Sequence, residues 1–556
     1  MRKTIATILS IVIILSMIAG GVWWICNAIS ERAAENGAME QTGGGITTLG
    51  STTGTTGGAS QPSTAPSTVP TEPTTPPTEP TIPPTEPTFP PAEPEKPEQP
   101  QEPEQPQEPE EPGVFQIGYS RIDITPEYSV PLAGYGNTSM RMSTGCQSYL
   151  YTTCVAFTGS DGTTVLQFQN DLISSAAWVM KSIRKAISKE TGVPESNIMI
   201  AATHTHSAPD INSSESSITD YKEDLKEAMV SCAAAAMADR KPVTQMKTGA
   251  VAVPVNTLNF VRHYTTESGI VKGDNFGDLV NSPYTGHTHD ADSSMQLIQF
   301  SREDGKDVVM VNWQSHPHRG GGSKNYNITA DIVGEMRDHF EEQTDSLFIY
   351  YTGASGNINP SSRIGKENVT ADFYEQGEAL ADYAVKCYNE NMQVTEAGDP
   401  KIIYQSYSGT VNHTEDHLVD EALLVQAEWT ANNDFVAAVT LANQYGINSP
   451  YHANAIITKS KKGETMEIKM YAYSIGDVAF ITAPYEMFDE NGLYVKENSP
   501  FEMTFVITCC NDTMCYIPSI EGYNNACYGA NTGYFIPGTG ETLAKEYVEM
   551  LEKLKQ

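Results

Sequence analysis

The sequence predicts an α/β fold: a single large domain whose mixed sheet is covered by helices, with a metal site at the carboxyl ends of its strands. Three observations predict it. Short apolar runs recur along the chain and alternate with segments of helical periodicity. Several of the runs stop abruptly at polar residues that include His, Asn and Glu. One of them, Asn197-Ile-Met-Ile-Ala-Ala-Thr-His204-Thr-His206-Ser-Ala-Pro-Asp210, stops at a His-x-His pair. On an extended backbone positions i and i+2 project to the same face, so both imidazoles can address one site.

Taken in order, the chain begins with Arg2 and Lys3 ahead of an uncharged run from Thr4 to Ile29. That run is long enough to cross a hydrocarbon layer of about 30 Å as a helix. The positive flank keeps the N-terminus cytoplasmic and sends the remainder outside. Residues 1–30 are therefore expected to be a retained signal anchor of a single-pass cell-membrane protein. The rival is a cleaved signal peptide, but no small-residue cleavage site follows and Trp23-Trp24 suits an interfacial anchor. Trp23-Trp24-Ile25 is also a poor context for lipid attachment at Cys26.

Residues 31–113 are expected to form a disordered stalk, Gly/Ser/Thr-rich and then rich in Pro, Thr and Glu, as in Pro76-Pro77-Thr78-Glu79-Pro80. Such a tract cannot bury apolar surface, and its prolines keep it semi-extended. Residues 114–556 remain for an extracellular catalytic domain. The formal charge is −35, of which residues 72–111 of the stalk contribute eleven Glu against one Lys. The folded part is therefore strongly acidic, which argues against nucleic acid or anionic headgroups as partners. Of nine cysteines, eight lie beyond the anchor, in a compartment that permits disulfides. Cys146 with Cys154, and the group Cys509, Cys510, Cys515 and Cys527, are the candidate partners.

Within the domain, strands are expected at Phe115 to Thr125, Thr163 to Asn170, Val308 to Trp313, Leu347 to Tyr351, Asp477 to Ile481 and Met503 to Ile507, beside the His-x-His strand. Helices are expected from Ala176 to a Gly192 stop, at Thr219 to Asp239, Ile328 to Gln343, Thr370 to Glu390, Glu415 to Asn443 and Thr542 to Leu554. In such sheets ligands bind beyond the carboxyl ends of strands, where His204, His206, His316, Asn359 and Glu486 fall.

His204 and His316 as imidazole ligands and Glu486 as a carboxylate make a three-ligand set with an open position, the design of a catalytic zinc site. Zn2+ so held acidifies water and polarises a carbonyl, as amide or ester hydrolysis requires. His206 is then the general base or a hydrogen-bonding partner. Each assignment has a plainer counterpart. Glu486 also suits the first turn of a helix, His318 a surface position, and Asp171 and Asp331 either helix caps or acceptors for histidine N–H groups. A second His-x-His, His287-Thr-His289-Asp290-Ala-Asp292, follows the loop Gly273 to Gly286 instead of an apolar strand, so a metal is not expected there.

The chain resembles the neutral/alkaline, non-lysosomal ceramidase family in its N-terminal catalytic domain. The resemblance rests on ordered motifs: Ile122-Asp123-Ile-Thr-Pro126, Leu132-Ala-Gly-Tyr135, Ala202-Thr-His-Thr-His-Ser-Ala-Pro209, Asn312-Trp-Gln-Ser-His-Pro317, Gly356-Asn-Ile-Asn-Pro360, Ala483-Pro-Tyr-Glu486, and Tyr516-Ile-Pro-Ser519 with Tyr528. It implies a zinc-dependent amidase that cleaves an N-acylated lipid such as ceramide into fatty acid and sphingoid base. It further implies His204, His316, Glu486 and Tyr516 as zinc ligands, His206 and Arg262 at the reacting carbonyl, and Asp123 in a supporting role. Three positions depart from the family pattern. Asn359 stands where ceramidases carry a catalytic Ser, Tyr485 replaces the Gly before the metal Glu, and Tyr528-Gly529 replaces a Tyr-Glu pair. Asn359 cannot act as a hydroxyl nucleophile but can donate a hydrogen bond to an oxyanion. Hydrolysis of another acyl bond, such as that of an acylated cell-wall sugar, and a non-catalytic surface binding module are the competing expectations.

Overall fold

Ile198–Ala202 shows how the apolar runs are used. All five residues are buried, and alternate side chains serve different cores. Ile198 and Ile200 pack with the helices Ala177–Thr191 and Ser216–Ala238, whereas Met199 and Ala201 face a second sheet. Val308–Trp313 repeats the pattern: Val309 and Val311 meet the helices Asp331–Thr344 and Phe373–Glu390, and Val308 and Met310 point the other way. A strand covered on both faces needs apolar residues at every position, which is why these runs do not alternate in polarity.

The computed structural model describes residues 113–556 apart from 136–140, 269–270, 274–283, 322–324, 363, 365–372 and 433. The expected anchor and all but the last residue of the expected stalk lie outside the described residues, as does most of the loop from Gly273 to Gly286. Among the described residues no helix is long and apolar enough to cross a membrane.

The larger sheet has nine strands. Its main path runs Leu347–Thr352, Val308–Trp313, Ser294–Arg302, Lys241–Ala252, Gln116–Asp123, Tyr151–Thr158, Thr164–Asn170 and Ile198–Ala202, with Gln393–Thr395 added to Lys241–Ala252. The pair at each end of this path is parallel and the others are antiparallel, so the sheet is mixed as expected. A second sheet, Pro400–Thr410, Thr465–Ile475, Val478–Thr482 and Met503–Ile507, is laid against it. Its outer face carries the C-terminal helix Thr539–Lys555 through Leu543, Tyr547 and Met550.

The expected α/β domain with a large mixed sheet and covering helices is therefore present, and a second sheet lies face to face with the first between the helix layers. The long strands Lys241–Ala252 and Pro400–Thr410 escape the sequence pattern because half or more of their positions are exposed or only part-buried. The expected helix from Glu415 to Asn443 divides into Val419–Asn432 and Phe435–Gln444, and Pro450–Lys459 follows as a further helix. Asp434 stands at the division. Its side chain caps the second helix by accepting from Ala437 N at 3.0 Å.

Cross-links bring the carboxyl ends of both sheets together. Thr508 N donates to Thr352 O at 3.0 Å, and Ala202 N to Cys509 O at 3.2 Å. Thr352 Oγ1 donates to Thr203 O at 2.7 Å. Asn312, fully buried, donates from Nδ2 to Tyr351 O at 2.9 Å and to Val506 O at 3.0 Å, bridging the sheets one turn of pleat below the site. The disulfide expectation is corrected: all eight cysteines described are free thiols, and seven of them are buried. Cys154 lies within the strand Tyr151–Thr158 and serves the apolar core instead of meeting Cys146.

Candidate metal centre

Beyond Ala202 the chain leaves its strand with His204 in the left-handed region, at φ 73°. A β-carbon is costly there, and the conformation is held by His204 N donating to Leu172 O at 2.9 Å. The imidazole is buried, with Nδ1 donating to Ile173 O at 2.8 Å. His316, three residues past the end of its strand at Trp313, donates from Nδ1 to Ile358 O at 2.8 Å. His206 does the same to Gly134 O at 3.2 Å. Carbonyl oxygens only accept, so each Nδ1 carries the hydrogen and each Nε2 offers its lone pair in the neutral ring. Asp171 and Asp331 are not the acceptors. Asp171 pairs with Arg337 Nη1 at 2.8 Å, and Asp331 takes the N–H groups of Ile332 and Gly320.

The Nε2 atoms converge on one carboxylate. Glu486 Oε2 lies 3.1 Å from His316 Nε2 and 3.4 Å from His204 Nε2, with all three side chains nearly inaccessible. Ligand atoms of His204, His206 and His316 lie within 4.8 Å of one another. Two imidazole lone pairs and an ionised carboxylate cannot share so small a volume without a cation among them, which is either a proton on one ring or a metal ion. The donor set of imidazole nitrogen and carboxylate oxygen fits a metal such as zinc.

The electrostatics agree with that requirement. Burial opposes charge on His204, but Cys509 and Glu486 outweigh it and hold its pKa well above the ordinary value. Burial also pushes Glu486 upward, yet His204 and His316 hold it far below the usual carboxylate range. Burial drives His316 down to about 4, and burial with the neighbouring histidines keeps His206 well below its ordinary value.

Glu486 does not start a helix. Glu486–Met487 pairs in parallel with Tyr516–Ile517, Glu486 opposite Tyr516, and the next helix begins at Asp489. The buried Tyr516 hydroxyl lies within hydrogen-bond reach of Glu486 and Arg262, and burial followed by the Glu486 charge raises its pKa well above 10. The Arg262 guanidinium sits 5.3 Å from the Tyr516 ring and 5.6 Å from that of Tyr528. It also donates to Gly356 O, while Arg262 N donates to Asn357 O at 2.9 Å. Asn359 follows on the same loop, buried, opposite Phe260 in a short antiparallel bridge.

Two glycines permit this crowding. A β-carbon on Gly356 would stand 2.9 Å from the carbonyl oxygens of Glu486 and Met487, and one on Gly134, at φ 103°, would stand 2.3 Å from His206 Cβ.

All seven sequence-derived site residues therefore lie in one neighbourhood. Asp123 does not join them; it is exposed and accepts from Thr125 N at 2.7 Å. His318 is half-buried with its ring 5.5 Å from that of His206. The second His-x-His splits: His287 Nε2 meets Ser362 Oγ at 2.9 Å, and Asp292 pairs with Lys496 at 2.9 Å. Sequence reasoning missed Cys509, whose Sγ is 3.6 Å from His204 Nδ1. Its place just after the strand Met503–Ile507 was the available signal.

Fold and site together define an α/β domain with a candidate metal centre at the strand ends. That combination has solved counterparts. A ceramidase complexed with C2 shares the fold at a TM-score of 0.58 and 15% identity, over 80% of this chain and 75% of that chain. Neutral ceramidase from Pseudomonas aeruginosa does so at 0.58 and 16%, over 79% and 75%. The chain has the neutral ceramidase fold. No family model and no curated relative matches it.

Proposed function

We propose that the protein is a zinc-dependent hydrolase of an N-acyl bond, acting on a small N-acylated lipid or amine and releasing a fatty acid and an amine. The observation that carries the reading is the convergence of His204 and His316 Nε2 on Glu486 Oε2, with both Nδ1 atoms committed to backbone carbonyls. His204, His316, Glu486 and Tyr516 would hold the ion. Zinc supplies Lewis acidity to the scissile carbonyl and lowers the pKa of water.

The remaining roles belong to the chain. His206, kept neutral by burial, accepts the proton of the attacking water at Nε2 and returns it to the departing amine. Arg262, aligned by Gly356 O and the Tyr516 ring, stabilises the oxyanion, with Asn359 as a further donor. No side-chain nucleophile is needed in this route, which accommodates Asn359 at the ceramidase Ser position. The solved neighbour complexed with C2 supports a short N-acyl compound as the first substrate to try. The apolar run from Thr4 to Ile29 supports a single-pass anchor that holds the domain outside the cell.

Asn359 also favours a second reading, a hydrolase of an acyl ester or an acylated sugar, since a weaker leaving-group demand tolerates a lost serine. Elemental analysis of the full chain, coupled to hydrolysis of short- and long-chain N-acyl substrates and matched esters, decides. Stoichiometric zinc with amide turnover is expected. Absence of zinc removes both readings, and ester turnover alone selects the second.

A further inference from the structure

Past Glu486 the chain brings two more carboxyl groups inward. Asp489, 2% exposed, and the part-buried Glu490 open the helix Asp489–Asn498. Asn357 Nδ2 donates to both, reaching Glu490 Oε2 at 3.0 Å, and Ser519 Oγ donates to Glu490 Oε1 at 2.9 Å. His289 Nε2 approaches Asp489 Oδ1 to 3.3 Å. Ligand atoms of His289, Glu490 and Glu521 lie within 4.8 Å of one another.

Three carboxyl groups meet one imidazole, and among the described residues no Lys or Arg pairs with any of them. A buried imidazole adjoins the cluster. His263 is 2% exposed and its Nδ1 has no hydrogen-bond partner. Its carbonyl takes the N–H of Thr288, beside His289, and its ring lies 5.6 Å from that of Phe488, beside Asp489. Surplus carboxylates around imidazole, next to a buried imidazole nitrogen without a hydrogen-bond partner, make a site for a cation and not for another side chain.

We infer that His289, Glu490 and Glu521 form a second divalent-cation site, backed by Asp489, separate from the His204–His316–Glu486 cluster. Imidazole nitrogen with carboxylate oxygen selects a zinc- or manganese-class ion over calcium. The ion braces the loop that carries the first site, because Glu490 holds Asn357, whose carbonyl takes Arg262 N, and Ile358 next to it orients His316.

The full chain, dialysed against zinc and measured by elemental analysis, is expected to retain two ions. His289→Ala/Glu521→Gln should retain one, and His316→Ala should lose the other. Glu521 is exposed, so Glu521→Gln alone leaves the fold intact, and it should weaken the second ion at least about tenfold in a competition titration with a chelator. One ion in the wild type that only His316→Ala removes, or a second-ion affinity unchanged by Glu521→Gln, overturns the inference. One ion that only the Glu521 variant removes leaves it standing and overturns the zinc assignment at the first site.

Discussion

Glu486 and Tyr516 are direct register partners in a short parallel bridge, so the carboxylate that both histidines approach is placed by strand pairing with a residue of the same site. Glu486 N is held by Cys515 O at 3.0 Å, which leaves the side chain no freedom to withdraw along the backbone.

Glu486→Gln keeps the shape and removes the charge. Bound zinc should fall to a small fraction of an equivalent, and hydrolysis should fall at least about a hundredfold. Elemental analysis and an N-acyl hydrolysis assay read the two effects.

His204→Ala and His206→Ala separate ligand from acid/base. The first should lose the ion; the second should retain it while turnover falls about 10²- to 10⁴-fold. Loss of zinc in both would make His206 a ligand, which the three-histidine grouping also allows.

Asn359→Ala should leave zinc content unchanged and lower turnover about a hundredfold, the usual effect of deleting one oxyanion donor. Unchanged turnover would remove Asn359 from the reaction.

Gly134→Ala should destabilise by about 1–3 kcal/mol in urea unfolding, because it combines a positive φ with a β-carbon against His206. Gly192→Ala, at φ 76° with open space around it, isolates the backbone part and should cost less.

Glu415 gives a pH signature. Burial opposes its charge, but His452 and Lys459 Nζ, 2.8 Å from either oxygen, hold its pKa down at about 2 instead of the ordinary 4.5. A depressed folded-state value stabilises above 4.5 and is lost as the pH falls through 2. Glu415→Gln should therefore be less stable than wild type at neutral pH, with the gap closing between pH 4.5 and 2 in thermal melts.

Much of the site was legible because its residues lie just past the ends of runs buried on both faces. Ile198–Ala202 leads to His204, and Val308–Trp313 leads to His316. The helix from Ala177 was legible from its apolar spacing and the left-handed Gly192 that ends it. The second sheet was not, because Pro400–Thr410 exposes alternate residues and its partners lie far along the chain. The cysteines misled for a related reason: sequence proximity suggested pairs, whereas the fold buries Cys154 and Cys510 in separate cores.

By itself the sequence determined which chemical groups stand at the strand ends, since periodicity and chain order are local properties. The tertiary structure decided which of them meet. Facing sheets bring the ends of Val308–Trp313 and Met503–Ile507 together, and carbonyls of Ile173 and Ile358 choose the tautomers of His204 and His316. Those contacts join residues distant along the chain, and a neutral imidazole acquires its direction only from the acceptor that the fold places behind it.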